Sequence, residues 1–557
     1  RRTTDPLPQP GGGFLFAWRG ADQQLNGDHM QVELFDTTLR DGNQARGLSF
    51  SLEDKLAVAR LLDDFGIHVI EAGWPNPTNQ TDVLFFERAR RMEWKQARLC
   101  AFGSTRRPGG KARDDKMLGH LLDSQAPVVA LFGKTWDLHV TDVLRTSLSE
   151  NLDMIADSIG FFKEAGREVV FDAEHFFDGY LANPEYALAT LRAALSAGAD
   201  RICLCDTNGG MALPWEVERI VAEVLREFPG ARLGIHPHND SGTAVANALS
   251  AVRAGATQVQ GTVNGFGERC GNVNLLTVAA SLQLKMGIET VGEAALKKLR
   301  HLSLSVSEIA NLAPDIRAPY VGDAAFAHKG GAHIDGVLKV ARSFEHIDPA
   351  LVGNERELIV SEQSGGSLVA ARLAGIASDL DKKDPRVAAI LKSVKDLESD
   401  GWHFEVAEAS FQLLAARQLG LFHNPFEVRH YRVIDQMGTT LSEATLQIEV
   451  GEVLEHTAAM GDGPVGALDA ALRKAVTHFW PILEKVRLSD YKVRVLDGRG
   501  GTGAKVRVLV ESTDGIRTWS TLGVSSNIVD ASWQALVDSL CWPLMRSHLG
   551  KAQQQEG

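Results

Sequence analysis

From Gln31 onward, eight short apolar runs, many of them β-branched, alternate with stretches of helical pattern. They begin near Val32, His68, Arg98, Pro127, Glu168, Arg201, Arg232 and Thr257, spaced by about 25 to 41 residues. Near-continuous apolar strands separated by amphipathic helices bury both sheet faces only as parallel βα units. Eight such units in about 250 residues predict a (β/α)8 TIM barrel; an open doubly wound sheet is the alternative. The first helix carries the expected punctuation. Ser51 with Asp54 reads as a capping box, Val58, Leu61, Leu62 and Phe65 form an apolar stripe, and Gly66 follows the last turn.

In a closed barrel, the groups that do chemistry sit at the C-terminal ends of the strands. Here those ends read Arg40-Asp41, Glu71, Ser104 to Arg107, Lys134, Asp172 with Glu174-His175, Asp206-Thr207-Asn208, His236-Pro237-His238-Asn239-Asp240, and Asn264 through Asn272. His236-x-His238 is the sharpest of them, because alternate residues on a strand share a face and both imidazoles then point into the barrel mouth. Two imidazoles and one carboxylate form a facial site for a divalent ion with open positions for substrate. Asp41, on the strand that closes against strand eight, is the candidate carboxylate. The loop Gly265-Phe266-Gly267-Glu268-Arg269-Cys270-Gly271-Asn272 contains a G-x-G-x-x-G match. Its place after strand eight, with no ribose-binding acid, argues against a dinucleotide site. It reads instead as a turn that brings Asn272 to the metal and Glu268 and Arg269 into a buried ion network. Cys203-Leu204-Cys205 alternates on strand six and reads as two core thiols.

The chain has 557 residues, enough for several domains, and a formal charge of −13 that argues against a general nucleic-acid binder. No apolar run approaches the ~20 residues of a membrane span. Five cysteines are too few for a disulfide framework and fit a reducing cytoplasm. Residues 1–29 read as a disordered extension, with Met30 a natural start for the folded part.

The stretches Asp36-Thr37-Thr38-Leu39-Arg40-Asp41-Gly42-Asn43-Gln44, Asp206-Thr207-Asn208-Gly209-Gly210, His236-Pro237-His238-Asn239-Asp240 and the loop from Gly265 to Asn272 resemble the 2-isopropylmalate synthase, homocitrate synthase and citramalate synthase family. Ala101 to Arg107, Leu131 to Thr141 and Asp172 to Tyr180 are most similar to its bacterial citramalate synthase branch. The resemblance runs from about Gln31 to the last helix. It implies an acyltransferase that joins acetyl-CoA to a 2-oxo acid, pyruvate in this branch. It implies a divalent metal on Asp41, His236 and His238, with Asn272 a weaker fourth ligand. Mg2+ or Mn2+ suits the mixed oxygen and nitrogen donors, and Zn2+ or Co2+ also fits them. Arg40 is expected beside the developing alkoxide, Thr207 at the substrate carboxylate, Gln44 in contact with substrate, and Glu174 or His333 as the base. Other readings change the oxo acid, to 2-oxoisovalerate (2-isopropylmalate synthase) or 2-oxoglutarate (homocitrate synthase), or the reaction, to an acyl-CoA lyase on the same barrel. A sensing protein without activity is a further class, disfavoured by the retained Arg40, Asp41, His236 and His238.

The expected domains are the catalytic barrel over 30–294, a helical linker region over 295–425, an α+β regulatory domain over 426–548, and a tail over 549–557. Phe326 to His333 reads as a glycine-flanked loop able to close over a site, and the resemblance implies that His333 enters the partner subunit's site in a homodimer. Phe344 stands where many relatives carry an aromatic hydroxyl. Asp379 to Lys383 reads as a polar helix start. In the last domain, strands are expected at Leu446 to Val450, Tyr491 to Val495 and Lys505 to Val510. Ala467 with Ala471-Leu472 echoes Ala531 with Ala535-Leu536, which predicts two β-rich units, each ending in a helix. Asp497 to Gly503 reads as a hairpin or loop rather than a phosphate cradle. The resemblance implies feedback inhibition here by a branched-chain amino acid, isoleucine or leucine.

Overall fold

A computed structural model describes residues 31–359, 366–377, 380–436, 438, 440–496 and 503–556. The expected extension over 1–29, Asp379, and positions 497–502 of the glycine-rich loop lie outside the described residues. The chain divides into two compact units, one from the described residues of Arg1–Phe326 with Ile347–Arg356, the other from Ala327–His346 with Glu357–Gly557.

The first unit holds a closed eight-stranded parallel barrel: β1 (Glu33–Asp36), β2 (Val69–Gly73), β3 (Arg98–Ser104), β4 (Val128–Lys134), β5 (Glu168–Glu174), β6 (Arg201–Asp206), β7 (Leu233–Pro237) and β8 (Gln258–Gly261). β1 pairs with β2 on one side and, from Glu33↔Gln258 to Asp36↔Gly261, with β8 on the other, which closes the ring. The expected barrel is therefore the observed one.

Period-two alternation sorts every strand into an outward row, packed against helices, and an inward row. The inward rows are layered. At the N-terminal floor, Glu33 accepts hydrogen bonds from Arg201 at 3.0 Å and Gln258 at 2.9 Å, and Arg98 pairs with Glu33 and Glu168. Apart from Gln258, whose strand β8 pairs with β1, these groups come from non-adjacent strands and can meet only across the barrel interior. Above them lies an apolar plug that includes Phe35, Val69, Cys100, Val128, Val170 and Cys203. The layer above the plug is polar: Glu71, Asp172, His236 and Gln260, each 5% exposed or less. A dry plug beneath polar groups lets them face the mouth and nothing else.

The first helix, α1 (Leu52–Phe65), has the full capping box: the Asp54 N–H donates to Ser51 Oγ and the Ser51 N–H to the Asp54 carboxylate. Gly66 ends it with φ of 101°, a conformation that favours glycine. Val58, Leu62 and Phe65 are buried, whereas Leu61 at the stripe's edge is only partly so. α1 also sends Lys55, 2% exposed, onto the Ala72 carbonyl and the Asp82 carboxylate. Asp82 in turn accepts from the Trp74 N–H at 2.8 Å and Asn79 Nδ2 at 2.6 Å. This buried pair pins the loop after β2.

In the second unit, the helices Gly331–Lys339, Gly366–Leu373, Pro385–Ser399 and Glu408–Gln418 precede two three-stranded antiparallel sheets. The strands Glu427–Asp435, Leu441–Val450 and Val453–Asp462 lead into the helix Gly463–Val476. Arg487–Val495, Val506–Thr513 and Thr518–Ser525 are followed by the helix Ile528–Glu556. The predicted echo is physical: Thr457 Oγ1 donates to the Ala471 carbonyl and Thr521 Oγ1 to the Ala535 carbonyl, each across fourteen residues. Three strands are found that the sequence pattern does not single out, Glu427–Asp435, Val453–Asp462 and Thr518–Ser525. The first two are edge strands that expose most of their residues, and the third is rich in Ser and Thr, so none shows a long apolar run. No helix among the described residues is long and apolar enough to cross a membrane.

Truncating a buried ion pair on one side strands the other charge. Lys55→Met is expected to destabilise the protein by ~3–5 kcal/mol. Arg88→Met, which removes an exposed pair with Glu53, should cost at most ~1 kcal/mol. Urea unfolding of both variants checks the contrast, and equal losses would contradict the anchoring role of Lys55.

Candidate active site

The site begins with the turn after β1. The Asp36 carboxylate, wholly buried, accepts the Thr38 N–H at 2.9 Å and the Thr38 hydroxyl at 2.8 Å. The Val263 N–H donates to Thr38 Oγ1 at 2.8 Å, and Thr37 N–H to the Gly261 carbonyl at 2.9 Å. Side chains thus replace the ladder partners that the backbone gives up. The chain bends over the barrel rim, and Arg40 and Asp41 project into the mouth.

Arg40 Nε donates to Glu71 Oε2 at 2.6 Å and Nη1 to Asp41 Oδ2 at 3.1 Å, while its guanidinium lies 3.7 Å from the centre of the Phe102 ring. Burial alone would lower the Arg40 pKa, but Glu71 and Asp41 outweigh it and hold the guanidinium above its ordinary value. Thr37 Oγ1 donates to the same Glu71 oxygen at 2.5 Å. Glu71 is thus the anchor of Arg40. Its strand-end position was legible in the sequence, but its partner was not.

Asp41 Oδ2 lies 3.3 Å from His236 Nε2 and 3.8 Å from His238 Nε2, all three residues being buried. Burial pushes the Asp41 pKa up, but Arg40 and His236 outweigh it and hold it well below the carboxylate range. Burial, reinforced by His236, lowers His238 to about 4, which leaves a neutral imidazole. Burial also pulls His236 down, yet the Asp41 carboxylate raises it overall. His236 Nδ1 sits 2.8 Å from Gln260 Oε1, and Gln260 Nε2 donates to Asp172 Oδ1 at 3.0 Å. With its amide thus oriented, Gln260 Oε1 accepts the hydrogen bond from His236 Nδ1–H and fixes the ring with Nε2 facing Asp41. Burial and the nearby Glu71 raise Asp172 to about 7, a sign of surplus negative charge in this layer.

The residues fit a divalent cation. Asp41 Oδ1, Asn272 Oδ1 and His238 Nδ1 are buried without a hydrogen-bond partner. An isolated bridge sets Asn272 against His238, and Asn272 Nδ2 donates to the Phe266 carbonyl at 3.2 Å, which leaves Oδ1 as its unpartnered atom. The glycines of the loop serve this approach. A Cβ at Gly267 would collide with the Asn272 amide, and one at Gly271, where φ is 87°, with the Gly265 carbonyl. The loop is a close-packed clamp on Asn272, as the sequence reading against a dinucleotide site implied. The expectation of a buried Glu268 and Arg269 is corrected: their side chains are 60% and 42% exposed, and Arg269 forms a surface fork with Asp240 at 2.8 and 3.0 Å. A polar turn at the rim of the mouth is bathed by solvent even where its neighbour Asn272 is buried.

Around these groups lies a cavity of about 690 Å³, within the usual range for small-ligand sites. Glu174, ion-paired with Lys134, Thr207 and Gln44 line it. Thr207 Oγ1 accepts the His175 N–H at 2.9 Å, so its own proton is free to be donated. That N–H is delivered by a left-handed His175, φ 55°. Gln44 is exposed on the wall, while its neighbour Asn43 is occupied in accepting the Phe50 N–H at 2.9 Å. Trp74, Phe102 and Phe132 form an aromatic corner: Phe102 stacks on Phe132 at 5.3 Å and Trp74 meets both edge-on at 5.9 Å. His333 belongs to the second unit, on the helix Gly331–Lys339, where it stacks on Phe344 at 4.6 Å. In the same segment, His328 lies 3.3 Å from Glu345, and Lys329 donates to Glu405 at 2.7 Å.

The chain is 52% identical over 522 residues to a (R)-citramalate synthase of Aquifex aeolicus, covering 93% of this chain and 98% of that protein. The chain belongs to the citramalate synthase family. A (R)-citramalate synthase of Geobacter sulfurreducens is 51% identical over 520 residues, again covering 93% of this chain and 98% of that protein. A 2-isopropylmalate synthase of Methanocaldococcus jannaschii is 32% identical over 516 residues, covering 92% and 94%. Family models match in series: an HMGL-like domain over residues 31–306, a homocitrate synthase post-HMGL domain-like region over 320–401, and a LeuA allosteric (dimerisation) domain over 405–541.

Glu71→Gln keeps the shape of the side chain and removes its charge. If Glu71 preorganises Arg40, kcat for the family reaction should fall by about 10²–10³, with the thermal midpoint little changed. Steady-state rates and a thermal melt check this; an unaltered kcat would refute it.

Proposed function

We propose that this protein condenses acetyl-CoA with pyruvate and water to give citramalate and CoA, by a Claisen-type condensation followed by thioester hydrolysis. The observation that carries the reading is the juxtaposition, in one cavity, of the Asp41, His236 and His238 cluster, of Asp41 Oδ1 and Asn272 Oδ1 buried without partners, and of a guanidinium held rigid beside them. Near full-length likeness to the citramalate synthases supports it. Asp41, His236 and His238, with Asn272 as a weaker fourth candidate, would hold a divalent ion, which when bound would supply Lewis acidity for the oxo-acid carbonyl, an effect of several kcal/mol. Mg2+ or Mn2+ best suits an oxygen-chelating substrate, with Zn2+ and Co2+ compatible with the same donors.

The chain's own groups divide the remaining work. Arg40, fixed by Glu71, places positive charge where the carbonyl oxygen becomes an alkoxide, plausibly worth roughly 3 kcal/mol. Thr207, whose oxygen already accepts from His175, donates its proton to the substrate carboxylate. Gln44 contacts substrate from the cavity wall. Removal of a methyl proton from acetyl-CoA falls to Glu174, in the same cavity, or to His333, contributed by a partner subunit in a homodimer. Trp74, Phe102 and Phe132 form one wall of the cavity, with Phe102 against Arg40, and that rigid wall suits a small oxo acid better than a branched one.

The LeuA-type domain is read as a feedback site for a branched-chain amino acid, isoleucine by the logic of a chain-building reaction that starts from pyruvate, with leucine the alternative. Five free thiols suit a reducing cytoplasm.

Asp41→Ala and His238→Ala should each abolish metal-dependent release of free CoA from acetyl-CoA plus pyruvate and lower bound divalent metal; undiminished turnover in either sinks the metal assignment. In a panel of oxo acids read by thiol release, pyruvate should turn over fastest, and Phe102→Ala should narrow its advantage over 2-oxoisovalerate. A faster rate with 2-oxoisovalerate in the parent protein would identify a 2-isopropylmalate synthase instead. Isoleucine should slow initial rates with pyruvate, and equal rates with and without it would remove the regulatory reading.

A further inference from the structure

We propose that Cys203, Cys205 and Asp172 form a second cation site inside the barrel, selective for thiophilic dications such as Zn2+ and Cd2+ and coupled to the Asp41, His236 and His238 cluster. Cys203 and Cys205 are alternate residues of β6 and share its inward face. Register sets Asp172 of β5 beside Cys203, and Cys205 beside His236 of β7. One ligand atom from each of Asp172, Cys203 and Cys205 lies within 4.8 Å of the others, and all three residues are buried. A tetrahedral ion with sulfur bonds of about 2.3 Å needs ligand atoms roughly 3.5–4 Å apart. Binding therefore requires side-chain rotations that draw the three atoms closer. Cys205 and Asp172 both reach the cavity wall, which gives an ion a route in. Gly234, facing Cys203 on β7, offers no side chain to crowd it.

Charge favours a cation here. Asp172 and Glu71 lie in the same layer, and one Glu71 oxygen is buried without a partner. Burial pushes the Cys203 thiol up, and Cys205 is held higher still by its contact with Cys203 together with burial, so both remain neutral core thiols until an ion arrives. Binding exchanges protons for metal: two S–H bonds break, two sulfur–metal bonds form, the carboxylate takes a third position, and two protons pass to solvent. Sulfur donors select Zn2+ or Cd2+ over Mg2+ or Mn2+. Coupling follows from Gln260, which joins Asp172 Oδ1 to His236 Nδ1. An ion that draws the Asp172 carboxylate away loosens Gln260 and with it the orientation of His236, so a thiophilic ion seated on the two sulfurs inhibits whichever ion the Asp41 cluster holds.

The test uses the full-length protein carrying Cys270→Ser, which silences the exposed thiol. Cd2+ is titrated with Mg2+ or Mn2+ present, and the sulfur-to-cadmium charge-transfer absorbance, cadmium X-ray absorption and CoA release are followed. The expected result is a saturating band, two sulfurs per bound ion, and inhibition that tracks the band. Cys203→Ala in this background should lose the band and need at least about tenfold more Cd2+ for half-inhibition, with turnover in the absence of Cd2+ retained. A cadmium shell of nitrogen and oxygen alone overturns the proposal, as does inhibition of Cys203→Ala at the parent's Cd2+ concentration. The X-ray absorption result on the parent decides the matter should Cys203→Ala fail to fold.

Discussion

The guanidinium of Arg40, held between Glu71 and Asp41 on the face of Phe102, is the interaction around which the barrel mouth is arranged. Its cost explains much of the surrounding structure. Taking ions out of water is expensive, and buried ion pairs seldom repay that cost in stability. Glu71 is therefore given a second donor in Thr37, and Thr37 and Thr38 belong to the same turn that delivers Arg40. The turn, the anchor and the cation specify one another. A barrel of this size would be more stable with an apolar layer in their place, so their retention marks the layer as functional.

The same layer shows how a barrel separates stability from chemistry by depth. The floor network of Glu33, Arg98, Glu168 and Arg201 pairs its charges across the barrel and closes one end, with Arg201 Nε and Gln258 Oε1 left buried without a partner. The apolar plug above it keeps the two polar layers from sharing water. At the mouth the accounting is deliberately incomplete: Asp41 Oδ1, Glu71 Oε1 and Asn272 Oδ1 are left without partners. Buried polar atoms are rarely left unmatched. Three anionic or carbonyl oxygens in that condition in one layer mark where positive charge is received.

Much of this was legible in the sequence, for physical reasons that can be stated residue by residue. Eight apolar runs of parallel-strand character have few ways to be buried, so the barrel followed from periodicity. His236-x-His238 announced itself because a two-residue spacing on a strand fixes a common face, and Asp41 because strand closure sets β1 beside β8. What periodicity does not convey is pairing across the barrel. Glu71 read only as one capable residue at a strand end and Gln260 was not singled out, and it takes the contacts inside the barrel to show that one anchors Arg40 and the other orients His236. Arg269 failed for the opposite reason. Gly267, Gly271 and Asn272 on either side of its turn are buried, but the loop reverses so tightly at the two glycines that Glu268, Arg269 and Cys270 emerge at the rim. In the second unit, the strands Glu427–Asp435 and Val453–Asp462 were silent because an edge strand with one wet face need not carry an apolar run.

Relatives that differ in the oxo acid they use, yet align along nearly the whole chain, raise the question of where specificity resides. The ion cluster is an unlikely place, since any 2-oxo acid presents the same ketone and carboxylate to it. Differences must lie where the side chain of the oxo acid points. On the proposed reaction that space lies beside Arg40 and is bounded by Phe102, which also packs against the guanidinium. One residue then serves both the reaction and its selectivity: enlarging the pocket at Phe102 withdraws the surface on which Arg40 rests. Wider specificity at this position therefore carries a loss of rate with every substrate, and a change of preferred oxo acid is reached at lower cost through Trp74 or Phe132, which touch the corner without touching the cation.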